Sequence, residues 1–185
     1  MSFDFNTAAE QKTFDVIPDR TVVVLQLNIR PGDAGPDGLF KRSKDGRAEM
    51  LDTVATVIGG PYDKRKIYEN MVVDGTTEGH ATAAGITRGK LRAILESARG
   101  IKPTDLSDAA KRARVAEYGE FDGIRFMARL GVEPERNGYK AKNFIAFVIT
   151  PEQREWQRVE QVASPTAATT GSAQPLTIKK PAWAN

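Results

Sequence analysis

The reading of this chain turns on Val57-Ile58-Gly59-Gly60-Pro61-Tyr62-Asp63-Lys64-Arg65-Lys66-Ile67-Tyr68-Glu69-Asn70. An apolar run stops at two glycines and a proline, crosses a charged turn, and resumes as alternating residues. Gly59 and Gly60 tolerate positive φ, and Pro61 lacks the N–H that a continuing strand would donate. The pattern predicts strand, turn, strand. Because Lys64-Arg65-Lys66 lies between Tyr62 and Tyr68, the turn is either a solvated hairpin or one edge of a binding surface.

Residues 48–58 are the strand that feeds this turn, and 65–73 its antiparallel partner. Upstream, Pro18-Asp19 turns into the clearest strand, residues 20–30. Its alternation sets Val23, Leu25, Leu27 and Ile29 on a core face, with Val22, Val24, Gln26, Asn28 and Arg30 opposite. A Gly/Pro/Asp-rich loop over 31–38 leads to Leu39-Phe40-Lys41-Arg42-Ser43, and Asp45-Gly46 signals a second hairpin. Downstream the period becomes helical over 80–98, with Ile86, Leu91, Ile94, Leu95 and Ala98 assigned to one stripe and Gly100 as terminator. Thr87 is an alternative cap for a shorter helix, since Gly85 and Gly89 weaken the first turns. A short helix follows Ser107, its basic cluster expected to be a solvated face. The strand period then returns, with Ile124, Phe126, Ala128 and Leu130 opposite Arg125, Met127 and Arg129. Asn137-Gly138 signals a third hairpin before a closing strand over 144–149, and Phe126, Phe144 and Phe147 are assigned to the core.

This order gives three parts: a lead-in over 1–19 with Phe3, Phe5 and Phe14 as anchors, a domain over 20–150, and a flexible tail over 151–185. The tail is expected to be disordered from about Ala163 because it is rich in Ser, Thr, Ala, Pro and Gly. The expected fold is mainly β with a helical insert: an OB-like Greek-key barrel with one main helix between strands 3 and 4. A plain α+β sheet with one helix-covered face fits the same order.

Composition narrows the function. The 185 residues suffice for one core, and 40% are apolar, which argues against a disordered chain. No apolar run approaches the ~20 residues of a membrane-crossing helix, and the start has no basic, apolar signal-peptide pattern. The chain has no cysteine, which fits a reducing cytoplasm, and its one histidine, His80, reads as a surface or helix-entry residue rather than a ligand. No nucleophile elbow, P-loop or dinucleotide fingerprint appears, so neither an enzyme nor a cofactor is expected. Charge is uneven. Residues 20–150 carry 22 Lys/Arg against 17 Asp/Glu, whereas 1–19 carry one against four and 151–185 four against three. A moderately basic domain permits a polyanion partner.

Several motifs together resemble one family. They are Pro18, Lys41-Arg42-Ser43-Lys44-Asp45-Gly46, and Gly60-Pro61-Tyr62-Asp63-Lys64-Arg65-Lys66. Leu91-Arg92-Ala93-Ile94-Leu95 with Gly100 comes next, then Phe121-Asp122-Gly123-Ile124-Arg125-Phe126 and Asn137-Gly138-Tyr139-Lys140-Ala141-Lys142-Asn143. Over roughly 14–150 the order and spacing resemble the phage and prophage domain-of-unknown-function 669 family, whose members look like single-stranded-DNA-binding proteins. The resemblance implies a non-catalytic role in a phage recombination or replication module, with single-stranded DNA as partner and phage recombinase or replication proteins as further ones. Two features depart from the family pattern: a longer insert at about 103–120, and an end in Lys179-Lys180-Pro181-Ala182-Trp183-Ala184-Asn185 where single-strand binders typically carry an acidic tip.

Such binding needs cations for phosphates and aromatic faces for bases, each stacked base contributing ~1–3 kcal/mol. The candidate cations are Arg30, Lys41, Arg42, Lys44, Arg47, Lys64, Arg65, Lys66, Arg125, Arg129, Arg136, Lys140 and Lys142; the candidate rings are Phe40, Tyr62, Tyr68 and Tyr139. Arg125 and Arg129 flank Met127 on one strand face, which suits a ligand surface or Arg stems covering a sheet edge. A phage structural or interaction protein and, last, a magnesium-dependent nuclease are the competing readings. Oligomeric state is left open.

Overall fold

The computed structural model describes residues 4, 6–7, 15–136 and 138–161. The anchors expected at Phe3, Phe5 and Phe14, the turn residue Asn137 and the tail from 162 lie outside them.

Seven antiparallel strands form one open sheet, with one long helix. The strands are β1 (Val22–Arg30), β2 (Asp33–Ala34), β3 (Phe40–Arg42), β4 (Ala48–Val57), β5 (Lys66–Gly75), β6 (Arg125–Glu133) and β7 (Lys142–Ile149). The helices are α1 (Glu78–Arg99), between β5 and β6, and the short α2 (Asp108–Arg112). β4 is the hub: β5 pairs along one edge, while β3 and then β1 share the other. β6 continues from β1, and β7 from β6.

Alternation places Leu25, Leu27 and Ile29 of β1 with Leu51, Ala55 and Val57 of β4 in the core, beside Ile67, Met71, Phe126 and Leu130. Fully burying each such side chain is worth about 1.5–3 kcal/mol. Helix α1 starts where Thr77 Oγ1 accepts from the His80 N–H (3.2 Å) and stops at Gly100, whose φ of 71° is left-handed. The capping residue is thus Thr77, and Thr87 lies buried within the helix. The inner stripe is Ala84, Thr87, Leu91, Ile94, Leu95 and Ala98. Ile86 is instead 68% exposed, since five residues before Leu91 is about 140° round the helix.

The barrel expected from the element order is not closed. β5 and β7 are neighbours in space, and α1 packs on both. No ladder joins them, and a side chain occupies the seam: Lys90 of α1 donates to Glu69 Oε1 of β5 (2.5 Å) and to the Ile145 carbonyl of β7 (3.4 Å).

Side-chain hydrogen bonds tie the segments flanking the strands to the sheet and to α1. Asn143 Nδ2 donates to the Ile17 carbonyl and its Oδ1 accepts from the Ile17 N–H, both at 2.8 Å. The Asp122 carboxylate accepts from the Ile29 N–H (2.8 Å). Pro151 ends β7, yet the chain stays on the fold through Gln161. Trp156 Nε1 donates to the Ser97 carbonyl (3.0 Å), and Gln161 bonds both backbone groups of Arg125, at 2.8 Å each. The insert after α1 is pinned by buried Glu96, whose Oε1 accepts from Arg92 (2.9 Å) and Arg114 (2.7 Å). Arg114 also donates to the carbonyls of Asp105 and Lys102.

Candidate nucleic-acid interface

The three basic hairpins do not meet at one place. The 40–47 hairpin leads into β4 and the 57–66 hairpin leaves it, so the ten residues of β4, roughly 33 Å, separate them. The 57–66 and 133–142 hairpins share an end of the sheet. Arg65 Nη2 donates to the Asp15 carbonyl (2.7 Å), and two residues on Ile17 is held by Asn143 at the start of β7.

In the first hairpin the charges are largely neutralised. Phe40 is core rather than a platform: it is 6% exposed, packs edge-on against Tyr118 at 5.0 Å, and fills the space over Gly35, where φ is +68° and a Cβ would strike the ring. Lys41 pairs with Asp52 (3.3 Å), Arg42 with Glu49 (3.6 Å) and Arg47 with Asp45 (4.0 Å). The Asp45 carboxyl is held below its usual range by the Ser43 hydroxyl and the Arg47 N–H. Lys44 is exposed without an ion pair among the described residues.

The second hairpin is closed by its own hydrogen bonds. Asp63 Oδ1 accepts from the Gly59 N–H (2.7 Å), and the Lys64 N–H donates to the Val57 carbonyl (2.9 Å). Lys64 sits at φ 66°, a left-handed conformation that a non-glycine residue keeps only when its surroundings impose it. Lys64 and Lys66 are exposed and have no ion pair or side-chain hydrogen bond among the described residues. Tyr62 is half-buried, packed against the core on one side. Tyr62 also bounds an apolar slot of about 290 Å³ with Val22, Val24 and Pro61.

From this hairpin a line of functional groups runs along the outer face of the sheet. Lys66, Tyr68 and Asn70 alternate on that face of β5, opposite Thr56, Val54 and Asp52 of β4. Tyr68 is 61% exposed, and the Arg30 guanidinium lies 5.4 Å from its ring centre. Arg30 is held there by Asp52, which accepts from its Nε (3.0 Å) and Nη2. Burial pushes the Asp52 carboxyl up, but the hydrogen bonds and charges of Arg30 and Lys41 outweigh it, so its pKa lies below the usual value. Asp52 escapes sequence reasoning because a lone acid in a strand carries no signal; its opposition to Arg30 exists only through the β1–β4 register.

The third hairpin holds Arg136 and Tyr139 as a paired bridge, with reciprocal backbone bonds of 3.1 and 3.0 Å. Tyr139 is 80% exposed. With Pro134, Lys140 and Lys142 these residues line an open hollow of about 430 Å³. Lys142 pairs with Glu133 (3.0 Å), whereas Arg136 and Lys140 have no ion pair among the described residues.

Arg125 and Arg129 are engaged elsewhere. Arg125 donates to Gln26 Oε1 (2.9 Å) and Arg129 to Glu155 (2.6 Å). Met127 between them is buried, and its sulfur accepts from the Gln157 N–H. The segment after β7 covers this part of β6, so its Arg-Met-Arg face is not an open surface. Phe144 and Phe147, expected in the core, are 43% and 48% exposed: Phe144 covers Gly131, and Phe147 faces an apolar groove beside α1.

No family model and no curated protein matches this chain at a significant level. Among the described residues no cluster of His, Cys, Asp or Glu is placed to hold a metal ion, and no helix is long and apolar enough to cross a membrane.

Proposed function

We propose that this protein binds single-stranded nucleic acid without catalysis, as a DNA-binding component of a phage or prophage recombination or replication module. The observation that carries the reading is the outer-face line Lys66–Tyr68–Arg30, which sets a lysine beside an exposed ring that the Asp52-held Arg30 guanidinium braces. Phosphates need the former and bases the latter, with no sequence preference required. Lys64, Arg136, Lys140 and Tyr139 extend the same chemistry to one end of the sheet. The strand order supports an OB-type reading: a three-strand meander β1–β4–β5, a helix, then β6 returning to β1 and β7 beside it, with the seam held by Lys90 instead of a ladder. The module assignment and any recombinase or replication partner rest on the family likeness of the motifs.

A fluorescence-anisotropy titration tests this reading, with labelled single- and double-stranded oligonucleotides at two salt concentrations. The expected result is tight, salt-sensitive binding to oligothymidine and weaker binding to duplex. No binding at low salt refutes it. One observation favours a second reading, a protein-interaction role: the groove between α1 and β7, about 440 Å³, exposes Ile86 and Phe147. Specific capture of phage proteins with no nucleic-acid binding would support that role.

A further inference from the structure

We infer that the slot bounded by Tyr62, Val22, Val24 and Pro61 receives one unstacked nucleobase, with the adjoining phosphates on Lys64 and Lys66. This rests on the single-strand-binding reading above and adds to it a defined base site.

The slot has the composition of a base site. Val22 and Val24 lie on the outer face of β1, opposite the core-facing Leu25, and both are only half-buried. They form an apolar floor on the face that also carries Lys66 and Tyr68. Pro61 and Tyr62 supply the wall, and Gly59 and Gly60 leave its rim open, since a Cβ at either would meet nothing within 4 Å. At about 290 Å³ the slot is at or below the ~300 Å³ of the smallest drug-binding pockets, which suits one ring system rather than two stacked bases. Its charge is compatible with a strand: Lys64 and Lys66 follow the Pro61–Tyr62 wall in the same hairpin, Asp63 is committed to the Gly59 N–H, and Glu155 is paired with Arg129, the residue opposite Val22.

Tyr62 also differs from the exposed candidate rings, Tyr68 and Tyr139, in being packed on the core before binding. It packs on the core, and the turn beneath it is closed by the Arg65 N–H donating to the Tyr62 carbonyl (3.1 Å). A ring already held in place loses little conformational freedom when a base stacks on it. Tyr139, four-fifths exposed, would have to be ordered by the ligand.

The test compares oligothymidine with an abasic phosphodiester strand of the same length, which keeps every phosphate and removes every base. The readout is the ratio of their affinities. Tyr62→Ala should lower that ratio by about 5- to 150-fold, the weight of one stacked base. Tyr62→Phe, which keeps the ring, should preserve it. A merely structural role for Tyr62 would weaken both strands alike and leave the ratio unchanged, which overturns the slot. Should Tyr62→Ala fail to fold, Val22→Glu, which puts an acid on the slot floor, should lower the ratio instead; an unchanged ratio there also overturns the proposal. If the wild-type protein binds oligothymidine but these variants keep its ratio, only the slot is refuted. If it binds neither strand at low salt, the underlying reading falls as well.

Discussion

Replacing Lys64 and Lys66 together by glutamine should halve the salt dependence of single-strand binding. On the end of the sheet that bears the second and third hairpins, Lys64, Lys66, Arg136 and Lys140 have no carboxylate partner among the described residues. Arg30, Lys41, Arg42, Arg47 and Lys142 each lie within 4.0 Å of an acid, and an internal counter-charge leaves fewer phosphate-bound ions to release. Each phosphate neutralised on a single strand contributes about −0.7 to the slope of log K against log salt, so four contacts give about −2.8. Between 50 and 200 mM salt the wild-type affinity should then fall about 50-fold. With two contacts left the slope becomes about −1.4 and the fall about 7-fold. Glutamine removes the charge and stays polar, and both positions are exposed, so the fold should be unaffected. Anisotropy titrations of oligothymidine at four salt concentrations measure both slopes. An unchanged slope in a variant with wild-type circular dichroism and Tm would refute the assignment of these two lysines to phosphates.

Arg114→Ala should destabilise the fold by about 1.5–3 kcal/mol, because it removes one of the two charged hydrogen bonds to buried Glu96 while Arg92 keeps the other; urea denaturation measures the loss, and faster proteolysis within 101–121 should accompany it. Phe40→Ala should cost about 3–5 kcal/mol, read by the same method, while the affinity of the remaining folded protein for oligothymidine stays within about twofold, since the ring is core. Asp52→Asn should lower stability near pH 7 by about 1–2 kcal/mol, a charged hydrogen-bonded pair discounted for the half-exposure of Arg30 and Lys41. Its pH dependence has a definite sign. A carboxyl whose folded pKa is depressed stabilises fully above the ordinary value of about 3.9 and loses that contribution as pH falls through the folded value. Thermal melts below pH 4 should therefore show a shallower acid limb in Asp52→Asn than in wild type, and superimposable limbs would contradict the role given to Asp52.

Local pattern was enough for the longer elements, though not for β2, which lies within the stretch read as a loop over 31–38. The alternation in 22–30, the Gly-Gly-Pro stop after Val57, the helix ending at Gly100 and the short helix capped by Ser107 are written in neighbouring residues, because φ preference, caps and period-two burial act within a few positions. The same local logic made Tyr62, Lys64 and Lys66 recognisable as a basic, aromatic turn. It also misjudged Ile86 and Phe40, whose burial depends on which helix face and which loop lie across from them.

Only the tertiary structure decided which candidates remain available. Arg125 and Arg129 are taken by Gln26 and Glu155, residues 99 and 26 positions away; Arg30 is oriented over Tyr68 by Asp52 through the register of β1 on β4. Closure was beyond the sequence for the same reason. β5 and β7 face one another without a ladder, and Lys90, from a helix between them in sequence, reaches Glu69 and the Ile145 carbonyl across the seam. Sequence alone determined that a basic hairpin follows Val57. The packing of that hairpin beside Val22 and Val24 made it the wall of an apolar slot, because side chains distant in sequence become neighbours only when strands align.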